Sequence, residues 1–141
     1  MSSELDLLPH GTSFRFIHKL LELDPGKSAK GRYHISGDEA FLKGHFPGQP
    51  IWPGVIMIEA IAQLGGVAAQ TDPEHAELGN MRLTSVKNAK ILSTAEPGNT
   101  LEISVTVEGR LGPLIQISGQ VTCNGETLAK SIVMLSGEEK A

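Results

Sequence analysis

The chain has 141 residues, of which 40% are hydrophobic and 20% are charged, and its formal net charge is −4. This composition is typical of an ordinary globular protein, and the length suits one domain, residues 1–141, with its own hydrophobic core. The acidic balance gives no support to nucleic-acid binding, which usually shows a basic excess.

The single cysteine, Cys123, excludes an internal disulfide and a cysteine-cluster metal site. It lies in an alternating, strand-like run, which favours a small buried hydrophobe over a nucleophile. The first ten residues have neither a basic start nor an apolar signal region, so the default expectation is a cytoplasmic protein.

The chain is expected to begin with a β-hairpin. Residues 14–23 and 28–36 are predicted to be strands, joined by the Asp-Pro-Gly-Lys turn at residues 24–27. Residues 38–42 fit a single helical turn that follows the hairpin.

Residues 44–70, in the middle of the chain, are the most informative segment about both fold and function. Glycines and prolines predict an irregular loop over residues 44–50. A helix should follow, with Pro53 at its first position and its end near Asp72-Pro73. Because its apolar residues surround the axis, we expect a helix that is buried on all sides. Its uninterrupted apolar pieces are much shorter than the roughly 20 residues that a membrane span needs.

The second half of the chain predicts further strands. Residues 81–90 form one strand or two broken segments, and residues 101–108 and 115–123 alternate between apolar and polar side chains. Asn124-Gly125 is a strong hairpin signal before a last strand at residues 128–135. The predicted fold class is therefore α+β, with five or six antiparallel strands curled around one central helix.

Glu59 is the only charged residue between Pro47 and Thr71, so its carboxyl is expected to be buried. Burial is costly for a charged carboxyl and favours the protonated form, which a general acid requires. Gln63 lies four residues later on the same helical face and can reach the same polar spot.

Two further groups complete a candidate acid–base site. His45 lies in a rigid Gly/Pro loop, and an imidazole can accept a proton near neutral pH. Gly54, at the helix start, offers a backbone N–H without an intrahelical partner, suited to a developing oxyanion. These groups suit proton abstraction next to a carbonyl followed by loss of a β-hydroxyl, which is a dehydration. The remaining histidines, His10, His18, His34 and His75, lack such a setting and are expected to be structural or exposed.

Residues 44–63, GHFPGQPIWPGVIMIEAIAQ, resemble the β-hydroxyacyl-[acyl carrier protein] dehydratases of bacterial type II fatty acid synthesis. They match the pattern G-H-F-P-G-x-P-x-x-P-G-V-x-x-x-E-A-x-A-Q at every fixed position, and Leu8-Pro9-His10 resembles the family's entry motif. The resemblance implies a hotdog fold and a hydro-lyase that forms a trans-2-enoyl thioester. Residues 11–14, Gly-Thr-Ser-Phe, depart from the family's R-x-P-F, which fits a paralogue in a specialised acyl or polyene pathway.

The resemblance also implies a role for each site residue. His45 is the catalytic base, Glu59 the catalytic acid, Gly54 the oxyanion donor and Gln63 the amide that supports Glu59. The histidine and the glutamate of one site would come from two subunits of a homodimer, and three dimers can form a hexamer. The residues expected along the acyl tunnel are Phe46, Trp52, Pro53 and Ile58.

No cofactor and no metal are expected, and the implied partner is an acidic acyl carrier protein. Candidate docking residues are Arg82, Lys87 and Lys90, although scattered cations are also common on an ordinary solvated surface. Two other functions remain open: a hotdog thioesterase, which would need a carboxylate and water but not the His45 loop, and a non-catalytic acyl-binding or assembly subunit. The acid–base pair argues against the subunit reading, and it does not decide whether a dehydratase would also isomerise the double bond.

Overall fold

The computed structural model describes residues 2–44, 48 and 50–139. Within these residues the chain forms six β-strands, one α-helix and three short 3-10 helices. The strands and the α-helix are, in chain order, β1 (Lys19–Asp24), β2 (Ser28–His34), α1 (Gly54–Gln70), β3 (Leu78–Ile91), β4 (Thr100–Leu111), β5 (Leu114–Cys123) and β6 (Glu126–Glu139). The 3-10 helices are Ser2–Leu7, Thr12–Phe14 and Ala40–Gly44. Among the described residues, no helix is both long and apolar enough to cross a membrane.

The strands form one antiparallel sheet in the order β1-β2-β4-β5-β6-β3. Alternate residues of β4 and β5 are buried, and α1 packs against β2, β3, β4, β5 and β6. Asn124 and Gly125 both have positive φ values, 51° and 82°, as a tight type I′ hairpin turn requires. The sheet and its central helix form the hotdog fold that the sequence predicted.

The central helix differs from its prediction at both ends. Pro53 is the N-cap and has extended backbone angles, so the first helical residue is Gly54. The helix ends at Gln70, where the Thr71 hydroxyl donates to the carbonyl oxygen of Val67 at 3.0 Å. The helix is buried on all sides from Ala60 to Ala69, but its first turn is not, because Val55 is 73% exposed.

The first hairpin forms as predicted, but its strands are shorter. Strand β1 begins at Lys19, because the backbone of Phe14 and Phe16 bonds to the side chain of Gln63 instead of to a neighbouring strand. Strand β2 ends at His34, and the helical turn predicted at residues 38–42 is the 3-10 helix Ala40–Gly44.

Strand β3 is one continuous strand of 14 residues at the edge of the sheet. Its register against β6 shifts at three places, and Asn80 and Asn88 have positive φ values of 49° and 51° within two of these irregularities. Asparagine tolerates this backbone region better than most residues. The irregularities explain why the periodicity of this segment was ambiguous in the sequence.

Two adjacent helical glycines should respond in opposite ways to substitution by alanine. A Cβ at Gly65 would lie 2.7 Å from Ile117 Cγ2, whereas a Cβ at Gly66 would meet only Leu135 Cδ1 at 3.9 Å. Gly65→Ala should lower the free energy of unfolding by about 1–3 kcal/mol through overpacking. Gly66→Ala should raise it by up to about 1 kcal/mol through helix propensity. Urea denaturation of the two variants tests this, and equal effects would contradict the packing described.

Candidate active site

An apolar cavity of about 250 Å³ lies between α1, the N-terminal segment and β3. Helix α1 presents Glu59, Gln63, Gly66 and Gln70 to it, a spacing that places all four on one helical face. The cavity is lined by Leu7, Leu8, Pro9, His10, Glu59, Ala62, Gln63, Gly66, Gln70, Met81, Arg82, Leu83 and Leu135.

The Gln63 side chain is only 2% exposed and has a partner at each end of its amide. Its Oε1 accepts a hydrogen bond from the Phe16 N–H at 2.8 Å, while its Nε2 donates to the Phe14 carbonyl oxygen at 2.9 Å. The same Nε2 donates to Oε2 of Glu59 at 3.0 Å. These partners fix the orientation of the amide, because the reverse orientation would place donor against donor and acceptor against acceptor.

Glu59 lines the cavity and is partly accessible to solvent. Its side chain is 20% exposed, so the expectation of a fully buried carboxyl is wrong. The carboxyl is instead shielded on one side by Gln63 and remains reachable from the cavity. A group in this position can exchange a proton with a molecule that fills the cavity.

His10, which the sequence predicted to be structural or exposed, lies in the candidate site. Its Nε2 lies 3.2 Å from Oε2 of Glu59, and its ring lines the same cavity. Three further histidines were predicted to be structural or exposed, and they make such contacts. His18 stacks on Tyr33, His34 contacts Thr100 and His75 contacts Asp72. The signal that could have identified His10 was its place in the Leu8-Pro9-His10 motif.

His45 and Phe46 lie outside the described residues, and the roles predicted for them remain predictions. The chain is well anchored on both sides of this segment. The rings of Phe41 and Trp52 lie 5.1 Å apart, and the Trp52 N–H donates to the Ala95 carbonyl oxygen at 2.8 Å. The described residues on either side of this segment therefore meet in one aromatic cluster.

The Glu39 carboxylate fixes the backbone at Ser36 and Gly37, which precede that segment in the chain. It accepts hydrogen bonds from the Tyr33 hydroxyl at 2.8 Å and from the N–H groups of Ser36 and Gly37 at 3.2 and 2.9 Å. Burial alone would raise the pKa of Glu39, but these donors outweigh it and hold the pKa below its ordinary value. Burial and the contact with Glu39 raise the pKa of the Tyr33 phenol well above its usual range.

The remaining predicted site residues lie around the helix start. A Cβ at Gly54 would come within 3.0 Å of the Ile91 side chain, so only glycine lets β3 approach the first turn this closely. Trp52, Pro53 and Ile58 do not line the cavity described above, and their predicted place along an acyl tunnel remains a prediction.

Gln70, the last residue of α1, also lines the cavity. Its Nε2 donates to the Leu78 carbonyl oxygen at 2.6 Å, and its Oε1 accepts from the Leu78 N–H at 2.9 Å. This pair joins the end of α1 to the start of β3. Glu59 and Gln70 are eleven residues apart, which corresponds to about 16 Å along a helix axis.

A single antiparallel sheet packed around one long central helix defines the hotdog class of proteins. Residues 8–131 match the FabA-like domain family, and the chain belongs to that family. The dehydratase family predicted from residues 44–63 is thereby confirmed.

Curated relatives cover most of the chain. The chain is 37% identical over 129 residues to a 3-hydroxyacyl-[acyl-carrier-protein] dehydratase FabZ from Chloroflexus aggregans, covering 86% of this chain and 88% of the relative. It is 37% identical over 122 residues to the FabZ of Clostridium acetobutylicum, covering 86% of each. Among solved structures, the dehydratase heterocomplex ApeI:P from Xenorhabdus doucetiae has a TM-score of 0.81 at 18% identity, covering 96% of this chain and 91% of that one. At that identity the structure supports the fold alone.

The lowered pKa of Glu39 predicts a pH-dependent contribution to stability. Because the folded state favours the carboxylate, the contribution is present above the ordinary value of 4.5 and is lost as the pH falls through the lower folded value. Glu39→Gln should therefore destabilise the protein at neutral pH, and the difference from wild type should shrink as the pH falls below 4.5.

Urea denaturation over a pH series measures this difference. Glu22→Gln serves as the matched control, because the Glu22 carboxylate is exposed and lies 3.9 Å from Lys30 in a solvent-accessible ion pair. An effect of Glu39→Gln that is independent of pH would contradict the role of the carboxylate.

Proposed function

We propose that this protein is a (3R)-3-hydroxyacyl-[acyl carrier protein] dehydratase, and that residues 1–141 act as one hotdog domain. It would convert the 3-hydroxyacyl thioester into a trans-2-enoyl thioester and water, in fatty acid or related biosynthesis. The observation that carries the proposal is the Glu59 carboxyl, held by Gln63 at one end of an apolar cavity. The FabZ relatives, whose names give this activity, support it.

The reaction breaks a C–H bond at the α-carbon and a C–O bond at the β-carbon, and forms a double bond between them. In the proposal, the His45 imidazole takes the α-proton and the Gly54 N–H stabilises the negative charge on the thioester oxygen. Glu59 gives its proton to the departing hydroxyl, which leaves as water. Proton transfer from the imidazolium through solvent then restores both groups.

We further propose that the protein is a homodimer that pairs through β3 and shares its active sites. Strand β3 is a long edge strand, and such an edge offers unpaired backbone groups to another chain. Exposed Val86, Ile91 and Leu92 lie on or directly beside this edge. Because Met81 and Leu83 of β3 also line the cavity, a partner at this edge would stand next to Glu59.

The proposed substrate carrier is an acidic acyl carrier protein. The three candidate docking residues, Arg82, Lys87 and Lys90, all lie on β3 and are exposed. Arg82 also lines the cavity and lies 3.6 Å from Glu138 in an exposed ion pair. Their place on the strand that borders the cavity supports docking of the carrier on the exposed face of β3, beside the edge that pairs with the second subunit.

Replacing either proposed acid–base residue should abolish most turnover. We expect His45→Ala and Glu59→Gln each to lower kcat by about 100- to 10,000-fold, the usual contribution of a positioned acid or base. Hydration of a crotonyl-carrier thioester, followed as the loss of enoyl absorbance, measures this effect. Glu102→Gln, an exposed change on β4, is the control for folding and should leave the rate unchanged.

Product analysis of the same reactions distinguishes a dehydratase from a thioesterase and from a non-catalytic subunit. A thioesterase would release free thiol from the acyl carrier, and a non-catalytic subunit would give neither product. Near-normal hydration by either His45→Ala or Glu59→Gln would refute the proposed mechanism.

Mixing the two inactive variants tests whether the sites are shared. If His45 of one subunit acts with Glu59 of the other, a mixed dimer has one site with both substitutions and one intact site. Random mixing after subunit exchange should then restore about a quarter of wild-type activity. Sites built within one subunit would show no recovery, and size-exclusion chromatography would confirm that the exchanged dimers remain intact.

A further inference from the structure

His10 contacts the proposed catalytic acid from outside the helix. It lies between the 3-10 helices Ser2–Leu7 and Thr12–Phe14, and its Nε2 is 3.2 Å from Oε2 of Glu59. The two side chains are 28% and 20% exposed. The contact is therefore partly shielded from solvent and lies at the cavity wall.

With its hydrogen on Nε2, the His10 ring can donate to Oε2 of Glu59. Gln63 Nε2 donates to the same oxygen at 3.0 Å. Two donors on Oε2 from different directions limit the rotation of the carboxyl group. Oε1 takes part in neither contact, so it is the oxygen of Glu59 that remains for a substrate.

In this arrangement the other ring nitrogen of His10, Nδ1, is buried and is left without a hydrogen-bond partner within the described part of the chain. Leaving a buried polar atom unpaired is unfavourable, and such atoms are uncommon in folded proteins. A histidine that served packing alone would gain by turning towards a partner for Nδ1, so the contact with Glu59 determines the orientation of the ring.

The backbone of His10 is held independently of its imidazole. Arg15 Nε donates to the His10 carbonyl oxygen at 3.0 Å, and Arg15 Nη1 donates to Asp6 Oδ1 at 3.1 Å. Substitution of the side chain should therefore leave the N-terminal segment in place.

We propose that His10 is a positioning residue for the dehydration: it holds Oε2 of Glu59 so that Oε1 faces the departing hydroxyl of the substrate. This inference rests on the proposed function of Glu59. His10 itself makes no bond to the substrate and passes no proton in the reaction.

The test compares His10→Leu, which removes the donor, with His10→Gln, whose amide N–H can replace Nε2–H. Misplacement of a catalytic group can lower a rate by about 100-fold, so we expect His10→Leu to lower kcat by about 10- to 100-fold. KM should change by less than about twofold, because an interaction lost only in the transition state lowers kcat and kcat/KM together. His10→Gln should recover most of the lost kcat.

The control is His75→Leu, since the exposed His75 ring contacts Asp72 and lies outside the cavity that contains Glu59. Wild-type kcat in His10→Leu would overturn the inference, as would an equal loss of kcat in His10→Leu and His10→Gln. A fall in thermal stability that accounts for the lost activity of His10→Leu would also overturn it. Failure of the proposed function is distinct, because Glu59→Gln would then retain turnover whatever the His10 variants do.

Discussion

The amide of Gln63 is the interaction on which the rest of this site depends. It joins three parts of the molecule: the backbone at Phe14 and Phe16, the central helix, and the carboxyl of Glu59. Without it, the buried Phe16 N–H would be left unpaired, at about 1–3 kcal/mol, and the partly buried Phe14 carbonyl oxygen would lose its donor. The amide therefore serves the fold and the candidate acid at once, which makes the two difficult to separate by mutation.

This double role explains the shape of the N-terminal region. Because Phe14 and Phe16 bond to a side chain, they cannot join the sheet, and the chain runs across the helix before β1 begins at Lys19. That path brings His10 to Glu59, although 49 positions separate them in the sequence. The candidate site is thus assembled from a helix and a segment that the helix itself holds in place.

The sequence predicted the fold well where local pattern and packing agree. The alternation of β4 and β5, the Asn124-Gly125 turn and the apolar helix all indicated the observed arrangement, and the motif at residues 44–63 identified the family. Gln63 was predicted to reach Glu59 because helical spacing is a local rule. The contact of His10 was not predicted, because it depends on tertiary contacts that no spacing encodes. The exposure of Val55 was missed for a similar reason, since an apolar residue in a helix does not show which turn the sheet covers.

The pair of hydrogen bonds between Gln70 and Leu78 has a consequence for how the cavity walls are held together. They join the last residue of α1 to the first residue of β3, so the helix and the edge strand are fixed to each other at this end. Because Met81 and Leu83 of β3 line the cavity opposite the helix, the same bonds set the position of that wall. A single side-chain amide thus acts as a cross-link between two walls of the cavity.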